Sequence, residues 1–132
     1  MHGVRRMKLN YVAVGLGGVI GALLRYAVSV TFSQMTAPFP LGTIVVNLVG
    51  SFLLAFLTTK WFVHQGKTSP LMLGVGTGMI GSFTTFSTFS VELVELVEQN
   101  MLGLAFLYCV ISLFGGAFLT YVGYKVGRRK LI

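Results

Sequence analysis

The stretch Gly78-Met-Ile-Gly-Ser-Phe-Thr-Thr-Phe-Ser-Thr-Phe89 lies inside an apolar segment that is long enough to cross a membrane. Apart from Met79 and Ile80, it consists of glycine, serine, threonine and phenylalanine. Glycine and β-branched threonine weaken helix propensity, and interrupted backbone at membrane depth is tolerated only where it is buried in protein or faces a cavity. The stretch therefore predicts a broken helix that lines a narrow polar path, and with it a transport function. A continuous helix whose glycines permit close packing is the alternative.

The composition excludes an ordinary soluble fold. Of the 132 residues, 55% are hydrophobic and 10% are charged, whereas a soluble domain carries roughly 25% charged residues. The net charge is +7, but lysine and arginine concentrate at the ends of apolar segments, which is typical of topology signals rather than of nucleic-acid contacts. The sequence contains no nucleophile–base pair and no cofactor motif, so we do not expect an enzyme.

Four apolar segments are visible, at about residues 9–32, 41–63, 71–97 and 102–126. Each is longer than the roughly 20 residues that cross a bilayer core, and the connections are too short to hold a soluble domain. We therefore predict a single all-α membrane domain over residues 1–132, with four transmembrane helices and the third broken mid-membrane. The break is expected between Gly81 and Thr88, with the second half beginning near Phe89, and the carbonyls freed there would bind a cation.

Two phenylalanines are the first candidate functional residues. Phe86 and Phe89 are three residues apart and would share a helix face. The hydroxyl residues Ser87, Thr88 and Ser90 lie between and beside them. The positive edge of an aromatic ring can face an anion without trapping it, so the pair is a candidate for an anion path. Ordinary core packing is the alternative.

Polar residues in the second and fourth segments are further candidates. Asn47 offers two amide donors, and Thr43 lies one turn earlier on the same face. Tyr108 and Ser112 are one turn apart and, with Thr120, would form a polar line. Each could instead make an interhelical hydrogen bond, worth about 1 kcal/mol or less.

Ionisable residues within the segments need partners or a function. Arg25 lies about sixteen residues into the first segment. A structural or interfacial role is favoured there because arginine can extend to the interface, and attraction of an anion is the alternative. Glu92 is expected to lie deeper than Glu95 and Glu98, and therefore needs a partner.

Three strings together resemble one family. Gly42-Thr-Ile-Val-Val-Asn-Leu-Val-Gly50, the threonine–phenylalanine string quoted above and Gly21-Ala-Leu-Leu-Arg-Tyr26 are similar to the Fluc (CrcB) fluoride channels, and the resemblance covers all four segments. It implies a small passive, fluoride-selective channel that exports cytoplasmic fluoride across a bacterial or archaeal plasma membrane. It also implies an antiparallel dimer with two pores and a structural sodium ion at the centre of the dimer.

The resemblance implies roles for particular residues. It assigns the anion path to seven residues: Asn47, Phe86, Ser87, Thr88, Phe89, Tyr108 and Ser112. It assigns the backbone carbonyls of Gly81 and Thr84 to the sodium ion. Arg25 and Glu92 also match positions present in the family. Fluoride, membrane lipid and a second, oppositely oriented chain are the implied partners.

Two other functional classes compete with a channel. A small four-helix multidrug exporter needs a membrane-embedded acid that exchanges protons against cationic drugs, whereas the first segment carries Arg25 and no acid. A non-transporting assembly or regulatory subunit would have no reason to keep the polar–aromatic string.

Charge bias predicts the orientation of the chain. With four spans, both termini and the second loop share one side, which carries nine basic residues, or seven if the chain starts at Met7: Arg5, Arg6, Lys8, Lys60, Lys67, Lys125, Arg128, Arg129 and Lys130. The loops at residues 33–40 and 98–101 carry none. Positive residues in short loops favour the cytoplasm, so we expect cytoplasmic termini. An antiparallel dimer would then favour an oppositely biased homologue over a second copy of this chain.

Overall fold

The computed structural model describes the backbone of residues 2–36, 38–65 and 69–129, and these residues form helices and no strands. Two long helices come first, followed by a third apolar segment that is divided into several pieces and a fourth that contains a π-helical stretch. In chain order the elements are α1 (His2–Thr36), α2 (Leu41–Gln65), α3 (Pro70–Leu73), π1 (Gly74–Ile80), α4 (Gly81–Phe83), α5 (Ser87–Glu98), α6 (Leu102–Val110), π2 (Ile111–Gly115) and α7 (Gly116–Gly127).

Glycines bring the first segment and the first half of the third into direct backbone contact. A Cβ atom on Gly17 would collide with the carbonyl oxygen of Gly74, and one on Gly21 would collide with the carbonyl oxygen of Met79. Only residues without a side chain allow two helices to approach this closely. Because contacts advance along both segments in the same direction, α1 and residues 70–83 run parallel.

The second and fourth segments pack in the same way. A Cβ atom on Gly123 would lie 2.5 Å from the carbonyl oxygen of Phe52, and one on Gly127 would lie 2.8 Å from that of Phe56. The two segments therefore also run parallel, and α7 ends beside the last turns of α2. Since α2 and α3 are joined by a short connection, and α3 begins beside the first half of α1, both ends of the described chain lie at one end of the helical assembly.

The turn between α5 and α6 follows from one asparagine. Asn100 has a φ of 59°, a left-handed conformation that asparagine tolerates better than most residues. Its N–H bonds to the carbonyl of Val97 at 3.0 Å, and the N–H of Met101 bonds to the carbonyl of Leu96 at 2.9 Å. This pair of bonds is the Schellman motif, which ends a helix and reverses the chain. The α6 helix therefore returns alongside α5.

Among the residues that the structure describes, three stretches are long and apolar enough to cross a membrane: Val4–Phe32, Leu41–Trp61 and Leu102–Gly127. They correspond to the first, second and fourth predicted spans. The third predicted span, 71–97, contributes no single long helix because α4 ends at Phe83 and α5 begins at Ser87. The second half thus starts two residues before the predicted Phe89. Of the basic residues used to predict orientation, Lys67 and Lys130 lie outside the described residues.

Candidate functional site

The chain leaves the helical conformation at Thr84. This residue is extended, with φ −79° and ψ 158°. Its N–H and its hydroxyl both donate to the carbonyl of Ile80, at 3.1 and 3.2 Å, so the last turn of the helix keeps its bonds up to this point. The backbone groups of the next residues need partners from elsewhere in the protein.

Asn47 of α2 supplies those partners to Thr85. Its amide nitrogen donates to the carbonyl oxygen of Thr85, and its amide oxygen accepts from the N–H of Thr85, both at 2.8 Å. Thr85 is 8% exposed, so water cannot readily replace these bonds. The sequence identified Asn47 as a candidate, and the structure places it against the interruption of the third segment.

The Thr85 side chain caps the N-terminal end of the next helix, α5. Its hydroxyl accepts from the N–H of Thr88 at 3.1 Å, donates to the hydroxyl of Thr88 at 3.0 Å and lies 3.3 Å from that of Ser87. A threonine that accepts from an N–H three residues on is a helix-capping residue. Thr85 was not predicted as a site residue, although a threonine just before an apolar helix is a recognisable capping residue.

Three aromatic rings lie beside this capped end. The centroids of Phe86 and Phe89 are 5.9 Å apart, and those of Phe89 and Tyr108 are 4.8 Å apart. Phe86 is 80% exposed on the isolated chain, whereas Tyr108 is fully buried at 0%. The predicted phenylalanine pair is therefore adjacent in space, but Phe89 packs into the protein and Phe86 projects from it.

The carboxyl group of Glu92 accepts two hydrogen bonds. The hydroxyl of Tyr108 donates to one carboxyl oxygen at 2.7 Å, and the hydroxyl of Thr43 donates to the other at 2.9 Å. Thr43 is 3% exposed. All three residues were separate candidates from the sequence, but their hydrogen bonds to one another were not predicted. The carboxyl group thus joins α2, α5 and α6, and its position explains how an acid is accommodated in an apolar segment.

The polar groups connect two open cavities. A cleft of about 270 Å³ is lined by residues that include Thr43, Thr88 and Glu92. A more open depression of about 490 Å³ is lined by residues that include Asn47 and Thr85. The hydroxyls of Thr85, which lines the depression, and Thr88, which lines the cleft, are hydrogen-bonded to each other at 3.0 Å, so polar groups link the two cavities.

Arg25 lies beside the interruption. Its Nη1 atom is 3.5 Å from the carbonyl oxygen of Thr84, a carbonyl that no longer takes part in a helix. The carbonyl of Gly81 accepts from the hydroxyl of Thr84 at 3.4 Å. Both predicted cation-binding carbonyls belong to residues that line the depression. Arg25 is half-buried there, so its position fits a structural role better than an interfacial one.

Ser112 is separate from these interactions. Its hydroxyl oxygen is buried and has no hydrogen-bond partner among the described residues. It lies in π2, one turn beyond Tyr108. The structure therefore does not connect it to the Asn47–Thr85–Thr88 series, and Thr120, the third member of the predicted polar line, is exposed.

Comparison with known proteins identifies the family. Residues 12–124 match the family model described as CrcB-like protein, Camphor Resistance (CrcB). The chain belongs to the CrcB family. A relative in Bacillus anthracis named fluoride-specific ion channel FluC 1 is 46% identical over 121 residues, which cover 91% of this chain and 88% of the relative.

Relatives named fluoride-specific ion channel FluC 2 show similar agreement. The one in Geobacillus kaustophilus is 45% identical over 119 residues, covering 89% of this chain and 92% of the relative. The one in Staphylococcus haemolyticus is 41% identical over 120 residues, covering 90% of this chain and 97% of the relative. The apolar helices and the family together identify this CrcB chain as an integral membrane protein.

Proposed function

We propose that this CrcB chain is a passive fluoride-selective channel that lets cytoplasmic fluoride leave the cell down its electrochemical gradient. The observation that carries the proposal is the polar series between the two cavities, flanked by Phe86 and Phe89. Homologues with more than 40% identity carry the name fluoride-specific ion channel.

The chemistry of the site suits a small, strongly hydrated anion. A selective pore must replace the water around the ion with donors. The hydroxyls of Ser87 and Thr88 and the amide of Asn47 are donors, and the two phenylalanine rings offer positive edges. These groups are neutral, so they can exchange an anion without holding it as tightly as a buried cation would.

Flux through purified protein in potassium-loaded liposomes tests the proposal. Valinomycin would set the voltage, and a fluoride electrode would record efflux. Voltage contributes about 2.3 kcal/mol per unit charge per 100 mV, and a channel needs no further energy source. Rapid fluoride efflux with little chloride efflux is expected. Equal efflux of the two halides, or none of either, would refute the proposal.

The role of the rings can be separated from their volume. Phe86→Ile and Phe89→Ile keep much of the apolar bulk and remove the positive edge. We expect a strong loss of fluoride flux in both, with destabilisation mainly in Phe89→Ile because Phe89 packs against Tyr108. Phe106→Ile, at an exposed position of α6, is the matched control. If both pore variants conduct normally, the rings serve packing only.

A structural sodium ion and an antiparallel dimer complete the proposal. The interruption at residues 84–86 would lie at membrane depth, where its carbonyls need partners. Carbonyl oxygen is a ligand type that hard cations take. Gly81 and Thr84 both line the depression, so their carbonyls would supply two ligands from one chain, and a second chain across a twofold axis would double that number. Sodium should therefore raise the thermal stability of the dimer more than lithium or potassium.

Orientation of the termini toward the cytoplasm, and pairing with an oppositely biased homologue, are the final parts of the proposal. Among the described residues, all lysines and arginines except Arg25 lie toward the end of the assembly that holds both ends of the described chain. Single cysteines placed at each end in a Cys109→Ser background would be labelled in cells with an impermeant maleimide. Labelling only in the 33–40 loop supports the proposal, and equal labelling at both ends would instead support a dual-topology homodimer.

A further inference from the structure

The outer face of α7 carries a compact group of cations and tyrosines. Tyr121, Tyr124, Lys125, Arg128 and Arg129 follow one another at spacings of three, one, three and one, so they share a face of the helix. All five are exposed. The opposite face is occupied, because Gly123 and Gly127 pack against α2. We call these five residues the basic face of α7.

Contacts within the basic face hold its cations in position. Arg128 donates to the hydroxyl of Tyr124 at 3.0 Å and lies over the same ring at 5.4 Å. The Lys125 ammonium lies 6.0 Å from the centroid of Tyr121. A depression of about 450 Å³ opens between them, and the described residues that line it are the five residues of the face. The three positive groups therefore border one concave surface.

An apolar track continues from the basic face toward the other end of the helix. Phe118 and Phe114 lie three and seven residues before Tyr121 and are 65% and 66% exposed. From residue 114 to residue 128 a helix rises about 21 Å, close to the length of one acyl chain with its headgroup. The surface is thus cationic at the end of the apolar span and aromatic along its length.

We propose that this surface binds one anionic phospholipid. Lys125, Arg128 and Arg129 would contact the phosphate, and Phe118 and Phe114 would lie along an acyl chain. Lysine and arginine beside a span attract anionic lipid, and tyrosine is enriched at the same depth. Free phosphate would leave the aromatic track uncovered, and in the antiparallel dimer proposed above the basic face of a second copy would lie at the opposite membrane surface. The proposal rests on membrane insertion and not on fluoride conduction.

Binding of lipid to the full chain in neutral detergent tests the proposal, since it needs no ion gradient. Fluorescent phosphatidylglycerol and phosphatidylcholine would be titrated separately, with glycerol 1-phosphate as a headgroup-only competitor. We expect phosphatidylglycerol to bind at least about tenfold more tightly, because each nearby cation contributes roughly a fivefold gain. Glycerol 1-phosphate should compete weakly.

Two charge-matched variants separate a site from general attraction. Lys125→Gln/Arg128→Gln/Arg129→Gln should weaken phosphatidylglycerol binding at least about tenfold. Arg5→Gln/Arg6→Gln/Lys8→Gln removes the same charge from the same end and should change it less than about twofold. Size-exclusion profiles report folding, and Arg129→Gln alone, expected to lose roughly fivefold, serves if the triple variant is unstable.

Three outcomes would overturn the proposal. If both triple variants lost the same affinity for phosphatidylglycerol, net charge alone would explain the binding. Equal affinity for the two lipids would remove the role of the phosphate charge. Competition by glycerol 1-phosphate as effective as that by the whole lipid would show an anion site without the acyl-chain track.

Discussion

Asn47 and Thr85 exchange two hydrogen bonds of 2.8 Å, one in each direction between the asparagine amide and the threonine backbone. The asparagine amide thus bonds both the N–H and the carbonyl of Thr85, as a neighbouring strand does for a residue in an antiparallel sheet. Thr85 has left the helical ladder and cannot use the carbonyl four residues back. One side chain of α2 therefore supports the conformation of the interrupted third segment.

Asn47→Asp should lose this support with almost no change in volume. The carboxylate still accepts from the N–H of Thr85, but its second oxygen faces the Thr85 carbonyl, and the lost donor leaves that carbonyl unpaired. We expect a loss of about 1–3 kcal/mol in the free energy of unfolding and a reduced fluoride flux. Thermal unfolding in detergent and liposome efflux measure the two effects. Ser51→Ala, one turn further along α2 in the same depression, should leave both unchanged, and equal behaviour of the two variants would contradict the prediction.

Thr85→Val tests the side chain of Thr85 separately from its backbone. Valine removes the bonds to Thr88 and Ser87 while leaving the Asn47 pair intact. Stability should fall by about 1 kcal/mol, a usual value for a lost helix cap, and Thr85→Ser should recover most of it. The control is Thr58→Val, because the hydroxyl of Thr58 donates only to carbonyls of its own helix. A valine variant as stable as the parent chain would show that the cap is dispensable.

Gly50→Ala should disturb the interruption from the opposite side. A Cβ atom on Gly50 would collide with the methyl group of Thr84, and that methyl belongs to a stiff β-branched side chain. We expect destabilisation of about 1–3 kcal/mol, as for other overpacked sites. Thr84→Ser removes the methyl group and keeps the hydroxyl, so the double variant should recover much of the loss. Additive losses in the double variant would argue against this contact as the cause.

Two glycines of α1 should respond oppositely to alanine. A Cβ atom on Gly21 would collide with the carbonyl oxygen of Met79, whereas one on Gly15 would meet nothing within 4 Å. Gly21→Ala must separate two backbones and should lower the thermal midpoint, while Gly15→Ala should be neutral or stabilising by up to about 1 kcal/mol. Thermal unfolding of both variants in one detergent makes the comparison. Similar midpoints would mean that the close approach is not needed for stability.

Much of the architecture was predictable because it depends on local patterns. Apolar segments bounded by charged or turn residues predict α1, α2 and the fourth segment with bounds that agree with the structure to within a few residues at most ends. The low helix propensity of the residues around Thr84 predicted the position at which the chain leaves the helical conformation, between Phe83 and Ser87. The long extension of α1 back to His2 was not predicted, since charged residues there end the apolar run without ending the helix.

The site was predictable only as a set of residue types. Nothing in spacing relates Thr43 to Glu92 and Tyr108, which come from three segments and meet only after packing. Thr85 was not predicted because the spacing of rings and hydroxyls in the string does not show which of its residues bonds to backbone groups. Ser112 and Thr120 had the right spacing for a polar line, but spacing along one helix does not determine which face meets a neighbour.

The interruption also divides the protein mechanically. Residues 70–83 are packed by glycine contacts onto α1, whereas α5 packs onto α6 and shares a buried cluster with Ile44 of α2. Thr84, Thr85 and Phe86 are the only covalent link between these two bodies in the third segment. A movement of one group of helices relative to the other would have to change the backbone dihedral angles of those three residues. The hydrogen bonds from Asn47 hold the backbone of the middle residue, Thr85. The backbone between the two groups of helices is therefore held in place by a side chain. This arrangement suits a channel with a fixed pore better than a transporter that alternates between two open sides.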